Sequence, residues 1–426
     1  MERTTCCVVG GGPAGMVLGV LLARAGVDMT VLEKHGDFLR DFRGDTVHPT
    51  TIELLDDMGL GEKFAMLPQS RLEEVLVPVG DGFQRMASLR SLPGKYKCIA
   101  MVPQWDLLNL LVDAGRSEPH FTLRMNTEAT DLVTRNEKVV GVEYRTKDGG
   151  QGRIGADLVV ACDGRDSVLR AAADLPLLEW PTQMDVWWFR VPRKESDPSA
   201  VVPVISRRRP VIMIDRGSYW QCATLIRKGS DATERRRPVS ELLATMADAV
   251  PWLADRTDAL RSWDEVKLLN VRLDRLRRWH TDGLLCLGDA AHAMSPVGGV
   301  GINLAVQDAV AAARLLAAPL RRGTVTPRDL AKVRRRRLPA TVLVQGMQRF
   351  LHARVLRPVL EGRIEVVRAT KPPLPLRVMR RLPWLQRIPA YLVARGVRPE
   401  RIPEFARRAP EPADRQRSQG ATTRSS

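Results

Sequence analysis

Residues 5–33 restrict this chain to few folds. An apolar run, Thr5-Cys6-Cys7-Val8-Val9, leads into Gly10-Gly11-Gly12-Pro13-Ala14-Gly15. Apolar residues at helical spacing follow over 14–25 and are closed by Gly26. A second apolar run over 28–32 ends on Glu33 and Lys34. Strand, glycine turn, helix, strand and acid, in this order, begin a parallel sheet that binds a dinucleotide at its first turn. Gly10, Gly12 and Gly15 allow the tight turn, the close approach of a pyrophosphate and the close packing of the helix. Pro13 and Ala14 open that helix, and its N-terminus faces the phosphates. Glu33 is placed to accept from ribose hydroxyls. Its charge disfavours a 2′-phosphate, so this turn is not expected to hold NADP.

A second strand-to-helix loop lies far down the chain. The apolar run Leu284-Leu285-Cys286-Leu287 precedes Gly288-Asp289-Ala290-Ala291-His292, and Pro296, Gly298, Gly299, Gly301, Ile302 and Asn303 follow before Ala and Leu recur at helical spacing over 304–320. Asp289 offers a carboxylate at a strand end. Pro296 and the glycines let backbone approach a flat ligand, and the free N–H groups of the next helix then face it. One long cofactor held at both ends accounts for two such loops, and FAD has that form. Between them, an apolar strand over 157–162 ends in Asp163-Gly164-Arg165-Asp166-Ser167.

These elements together resemble the FAD-dependent aromatic hydroxylases, the single-component flavoprotein monooxygenases that include the ubiquinone-pathway hydroxylases. The resemblance implies an α/β fold: a Rossmann-like FAD-binding domain, an inserted mixed β-sheet substrate domain and a C-terminal helical region. It implies that Arg43 reaches the FAD pyrophosphate, and that Gln104, at a helix start, touches the flavin side. By the same resemblance Asp163 lies near the riboflavin–phosphate link, Gly164 takes the turn, and this region is tied to the nicotinamide cofactor. His292 reads as a structural member of its loop. The implied reaction uses NADPH or NADH and O2 to hydroxylate an aromatic or polyketide-like small molecule through a flavin hydroperoxide.

The expected organisation is FAD-binding segments at 1–71, 98–174 and 276–322, with a substrate-domain hairpin at 72–97 and a substrate sheet at 175–275. A basic helical region at 323–406 and a disordered tail at 407–426 complete it. Strands are expected over 121–125, 128–135, 138–146, 151–154 and 157–162. Helices are expected over 49–58, 104–114, 238–250 and 327–360. The inserted sheet is rich in Val, Ile, Trp and Tyr. Trp187, Phe189 and Trp220, with Trp188 and Tyr219 beside them, are its candidates for a substrate wall.

Composition narrows the alternatives. The formal charge is +17, but residues 319–426 hold 26 Lys and Arg against 7 Asp and Glu, so the body of the chain is near neutral. No nucleic-acid partner is expected, because no aromatic-interleaved binding module accompanies the basic region. The run Arg334-Arg335-Arg336-Arg337 reads as a solvated surface. Six cysteines form no Cys-x-x-Cys, and Cys6, Cys162 and Cys286 lie in apolar runs, which fits buried thiols in a reducing cytoplasm. No uninterrupted apolar run of about 18 residues suggests a membrane-spanning helix. Residues 372–397 mix apolar anchors with Arg377, Arg380, Arg381, Arg387 and Arg395. They offer a peripheral membrane contact as the alternative to packing on the body. Two enzyme relatives compete with hydroxylation. Flavin-dependent halogenases carry WxWxIP, which Trp187-Trp188-Phe189-Arg190-Val191-Pro192 nearly matches, though no motif places the halogenase lysine. Isoprenoid-type FAD reductases share the two FAD ends.

Overall fold

The computed structural model describes residues 2–38, 46–79, 82–90, 92–197, 202–205, 210–248, 250–361, 391–392 and 394–409. The expected cofactor contact Arg43 lies outside them, as do 372–390 of the proposed membrane segment and the tail from 410.

The first strand, Glu2–Val9, is central, with Cys6, Cys7 and Val8 fully buried. Both faces of its second half are covered, so Cys6-Cys7-Val8-Val9 is an unbroken apolar run instead of an alternation. It pairs in parallel with Met29–Leu32 on one side and with Gln151–Ala161 on the other. Phe121–Arg124 and Leu284–Cys286 extend the parallel sheet outward, and His280–Thr281 closes one edge antiparallel.

Gln151–Ala161 corrects the expectation of two separate strands. It is one eleven-residue strand. Its first half pairs antiparallel with Lys138–Thr146, and from Ile154 onward it pairs in parallel with Glu2–Val9. Gly155 and Ala156, which read as a break, are where the strand passes from one partner to the other. Gly141 is needed opposite: a Cβ there would stand 2.1 Å from the Ile154 carbonyl oxygen.

Helix Pro13–Arg24 is buried over 14–23, between the sheet and the helices Gln104–Arg116 and Gly301–Arg321. That explains a sequence apolar on all sides. All six cysteines are free. Burial pushes the Cys7 thiol up to about 12, and Cys6, Cys162 and Cys286 also well above the usual value, so these thiols stay protonated and inert.

The inserted sheet runs Val202–Ile205, Pro210–Asp215, Tyr219–Arg227, Met184–Pro192, Lys267–Leu269, all antiparallel. A ribbon of Leu177–Trp180 with Leu273–Leu276 joins it to the first domain. Alternation sends Trp187, Phe189, Val191 and Trp220 to one face, where helix Ser240–Ala247 covers them with Leu242, Leu243 and Met246. Val186 and Trp188 point to the opposite face.

Helix Pro327–Leu351 opens with a Thr326–Asp329 capping box and continues through a π turn, His352–Leu356, into Arg357–Leu360. Its buried stripe contains Leu330, Val333, Arg337, Ala340, Val344, Gln345 and Gln348. The four-arginine run is therefore not a uniform solvated surface. Arg337 is 1% exposed and donates from Nε to Asp308 at 2.9 Å, and Arg336 donates to Glu400 at 2.7 Å. Arg395, one of the cations of the segment with two alternative readings, makes a two-pronged contact with Glu53 at 2.8 and 3.0 Å, and Ala394 beside it is buried. No described helix is long and apolar enough to cross a membrane.

Candidate cofactor and substrate site

The two glycine loops meet. Gly288 sits against Ala14 and Ala305: a Cβ added to it would lie 3.5 and 3.2 Å from their Cβ atoms. Small residues at these three positions let the first turns of helices Pro13–Arg24 and Gly301–Arg321 converge on one place. Neither helix has a side-chain cap. The first-turn N–H groups of both therefore lack acceptors within the helix and carry the positive ends of two helix dipoles.

The glycines of the first turn divide by role. A Cβ on Gly10, whose φ is +104°, would stand 2.3 Å from the Cys162 carbonyl oxygen; one on Gly15 would stand 2.0 Å from the Gly10 oxygen. These two are required by the fold. A Cβ on Gly12, Gly164 or Gly301 would meet no protein atom within 4 Å. Those three border open space, as residues beside a bound cofactor would. Glu33 is 1% exposed and accepts from Gly11 N–H at 2.9 Å through one oxygen and from His35 N–H at 3.1 Å through the other. Its carboxylate is thus already aimed across the glycine turn, while Lys34 is exposed.

Asp163 closes the other side. Its Oδ2 accepts from Val168 N–H at 2.9 Å, whereas its buried Oδ1 has no partner among the described residues. Burial raises the Asp163 carboxyl above its ordinary value, against the opposing pull of Ser167 and the Leu169 and Val168 N–H groups. An unsatisfied buried oxygen of this kind costs roughly 1–3 kcal/mol, and a donor from a bound cofactor offsets that. The residues present fit FAD.

The loop from Gly288 to Gly301 is fastened from several sides, mostly by residues that motif reading misses. Arg165 donates to Asp289 Oδ2 at 3.1 Å, and Arg170 to the Ala290 carbonyl at 3.2 Å. Thr46 and His48 reach the Gly299 carbonyl at 2.7 and 3.0 Å. Gln348 donates to the Ser295 and Val297 carbonyls at 2.8 and 2.9 Å, Gln345 donates to the Ala293 carbonyl at 3.3 Å, and His352 meets Ser295 Oγ at 2.7 Å. Gln345, Gln348 and His352 form one polar stripe of the C-terminal helix; that spacing was the available signal. His292 is structural, as expected: it is 1% exposed and holds Asp308 at 2.6 Å.

Pro296 is half-buried, Gly298 is exposed with φ +84°, and Ile302 is buried. Asn303 Oδ1 accepts from Thr50 at 2.9 Å and Thr51 at 2.7 Å, so that oxygen ties helix Pro49–Asp57 to the loop, while the side-chain Nδ2 and the backbone N–H stay available to donate. Gln104 is half-buried at the first residue of its helix, with no hydrogen-bond partner among the described residues.

The substrate wall is corrected as well. Trp187, Phe189 and Trp220 are at most 1% exposed in the helix-backed core. Trp187 and Trp220 donate their indole N–H groups to Asp231 and Asp197 at 2.6 and 2.9 Å. Their neighbour Trp188 faces the other way and packs against two clusters, one containing Met101 and Ile214 and the other containing Met184 and Val186, against which Val297 of the Gly288–Gly301 loop also packs. Its buried Nε1 has no partner among the described residues.

Two helix N-termini on one cradle, a buried acid on the first turn and an antiparallel sheet packed against the second loop define a flavoprotein oxygenase. The chain belongs to the family described as FAD binding domain, whose profile matches residues 3–345, and to its FAD-dependent monooxygenases. It is 36% identical over 362 residues to 6-methylpretetramide 4-monooxygenase of Streptomyces rimosus, covering 81% of this chain and 84% of that protein. It is 26% identical over 325 residues to an uncharacterized aromatic compound monooxygenase of Bacillus subtilis, covering 75% of this chain and 63% of the other, under two thirds of its length. Among solved structures, OxyS anhydrotetracycline hydroxylase from Streptomyces rimosus matches in fold with a TM-score of 0.71 at 22% identity, covering 92% of this chain and 76% of that one.

Proposed function

We propose that this monooxygenase hydroxylates a polycyclic aromatic compound of polyketide type, with NADPH or NADH as reductant. Support comes from the relative at 36% identity, whose name gives oxygenation of 6-methylpretetramide. The structural observation that carries the reading is Trp188, the aromatic side chain that packs against both the cluster of Ile99, Met101 and Ile214 and the cluster that Val297 of the second loop also joins. A flat aromatic face with an unpartnered N–H suits a flat ligand bearing carbonyl or phenol oxygens.

When bound, FAD supplies the transfer of electrons from the nicotinamide to oxygen and the delivery of one oxygen atom to the ring. The residues here do the rest. The N–H groups of Gly12, Ala14 and Gly15 would receive the pyrophosphate, and Glu33 the ribose hydroxyls. Asp163 and Asp289 would orient the ribityl chain. The Gly301 helix end would face the ring edge where negative charge gathers. Trp188, with Ile214 in one of the clusters it joins and Val186 and Val297 in the other, would keep water from the reacting face.

A turnover assay tests this. Reduced nicotinamide oxidation, followed at 340 nm, is expected to be slow alone and stimulated by polycyclic phenols more than by single-ring phenols. Equal stimulation by single-ring phenols would contradict the substrate class, and no stimulation by any aromatic would contradict the hydroxylase reading.

A further inference from the structure

A second site is built on the opposite surface chemistry. Arg277, Arg278 and His280, beside the antiparallel edge strand, and the first turns of helix Pro327–Leu351 enclose an open cleft of about 950 Å³. Arg328, Arg334 and Arg335 complete its basic wall, and none of its residues belongs to the FAD cradle. The one carboxylate in the wall, Asp329, is committed elsewhere: it accepts from Thr326 in the helix cap and pairs with Lys332 at 2.8 Å.

Among the described residues, none of the five arginines has a carboxylate partner. Two buried polar atoms in the wall, Arg334 Nε and His280 Nδ1, also have no hydrogen-bond partner. Burial lowers the His280 pKa, and Arg278 and Arg334 lower it further, so the ring stays neutral and keeps an N–H to donate. Like charges gathered in a concave wall focus a positive potential that an anion relieves. Guanidinium groups match phosphate oxygens in pairs. A volume near the top of the range for small-molecule pockets suits a ligand larger than a single phosphate.

We propose that this cleft binds a phosphorylated small molecule of nucleotide size, held through its phosphates by Arg278, Arg334 and Arg335. The ligand can be the phosphorylated reductant itself or a separate nucleotide, and the test distinguishes them. FAD-loaded protein is titrated calorimetrically at low salt with tripolyphosphate, then with NADPH, NADH and ADP in competition. One saturable site is expected, weakening as salt rises. Arg278→Gln/Arg334→Gln is expected to weaken tripolyphosphate at least about tenfold, the loss of one charged hydrogen bond, with flavin absorbance unchanged. Arg335→Gln, at an exposed position, is read if the double variant loses flavin, and is expected to weaken binding in the same direction. Competition by NADPH but not NADH assigns the site to the reductant's 2′-phosphate. Competition by ADP without NADPH assigns it to a separate nucleotide. Either sustains the site. No saturable tripolyphosphate binding, or undiminished binding in a flavin-retaining variant, overturns it.

Discussion

Gly12→Val is expected to purify folded and colourless. The new side chain meets no protein atom near its Cβ, and the backbone at residue 12 is extended, with φ −75° and ψ −177°, which valine adopts freely. Loss of a glycine cap costs no more than about 1 kcal/mol, so the thermal midpoint should move little. The valine instead occupies the space in front of the helix N-terminus. Displacing a pyrophosphate from two charged N–H contacts, at roughly 1.5–3 kcal/mol each, weakens FAD by about 10² to 10⁴-fold. Gly15→Ala should behave oppositely. Its methyl group would lie 2.0 Å from the Gly10 carbonyl oxygen, so the variant should lose folded protein along with colour. Flavin content and thermal unfolding, measured on both variants, separate the two roles. A Gly12→Val protein that keeps one FAD would contradict the cradle.

The second large effect lies at a distance from the cofactor. Asp308 is fully buried and accepts from Arg337 at 2.9 Å and from His292 at 2.6 Å, and its Oδ2 faces the Gly288 N–H that starts the flavin loop at 3.4 Å. Complete burial pushes this carboxyl upward, but His292 and Arg337 overcome it and hold it below the usual value. Arg337→Leu removes the cation and leaves the carboxylate buried, which costs about 3–5 kcal/mol. Adding Asp308→Asn should return part of that loss, so the double variant should be destabilised by less than the two single losses combined. Denaturant titration of the three variants measures this; a single-variant loss below about 1 kcal/mol would contradict a structural role for the pair. The sign of the pH dependence follows from the lowered carboxyl. The contribution is complete above the unfolded carboxylate value near 4 and is lost as pH falls through the lower folded value.

What could be read from the chain alone was what is local. Thr5 to Glu33 and Leu284 to Leu320 each contain the strand, the turn and the helix that make their geometry, so both glycine loops were legible. The proposed wall residue, Trp188, was not. Alternation along Met184–Pro192 shows that Trp187 and Trp188 face opposite ways, but not which way the flavin lies; that depends on where helix Ser240–Ala247 packs. Arg337 was half legible. It shares a helical face with Leu330, Val333, Ala340 and Val344, which marks it as inward, whereas Glu400 is brought to it only by the return of the chain. Gly155 and Ala156 read as a strand break because small residues weaken strands; only the two partners of Gln151–Ala161 show why the strand continues.

Isotope labelling tests the central claim most directly. The FAD-loaded enzyme is supplied with reduced nicotinamide and an aromatic substrate that stimulates its oxidation, under ¹⁸O2 in ordinary water. The product is then weighed by mass spectrometry. An FAD-dependent monooxygenase predicts one heavy oxygen per new hydroxyl, from the gas and not from water. Oxygen drawn from water, halogen in its place, or turnover of an alkene without oxygen would contradict it.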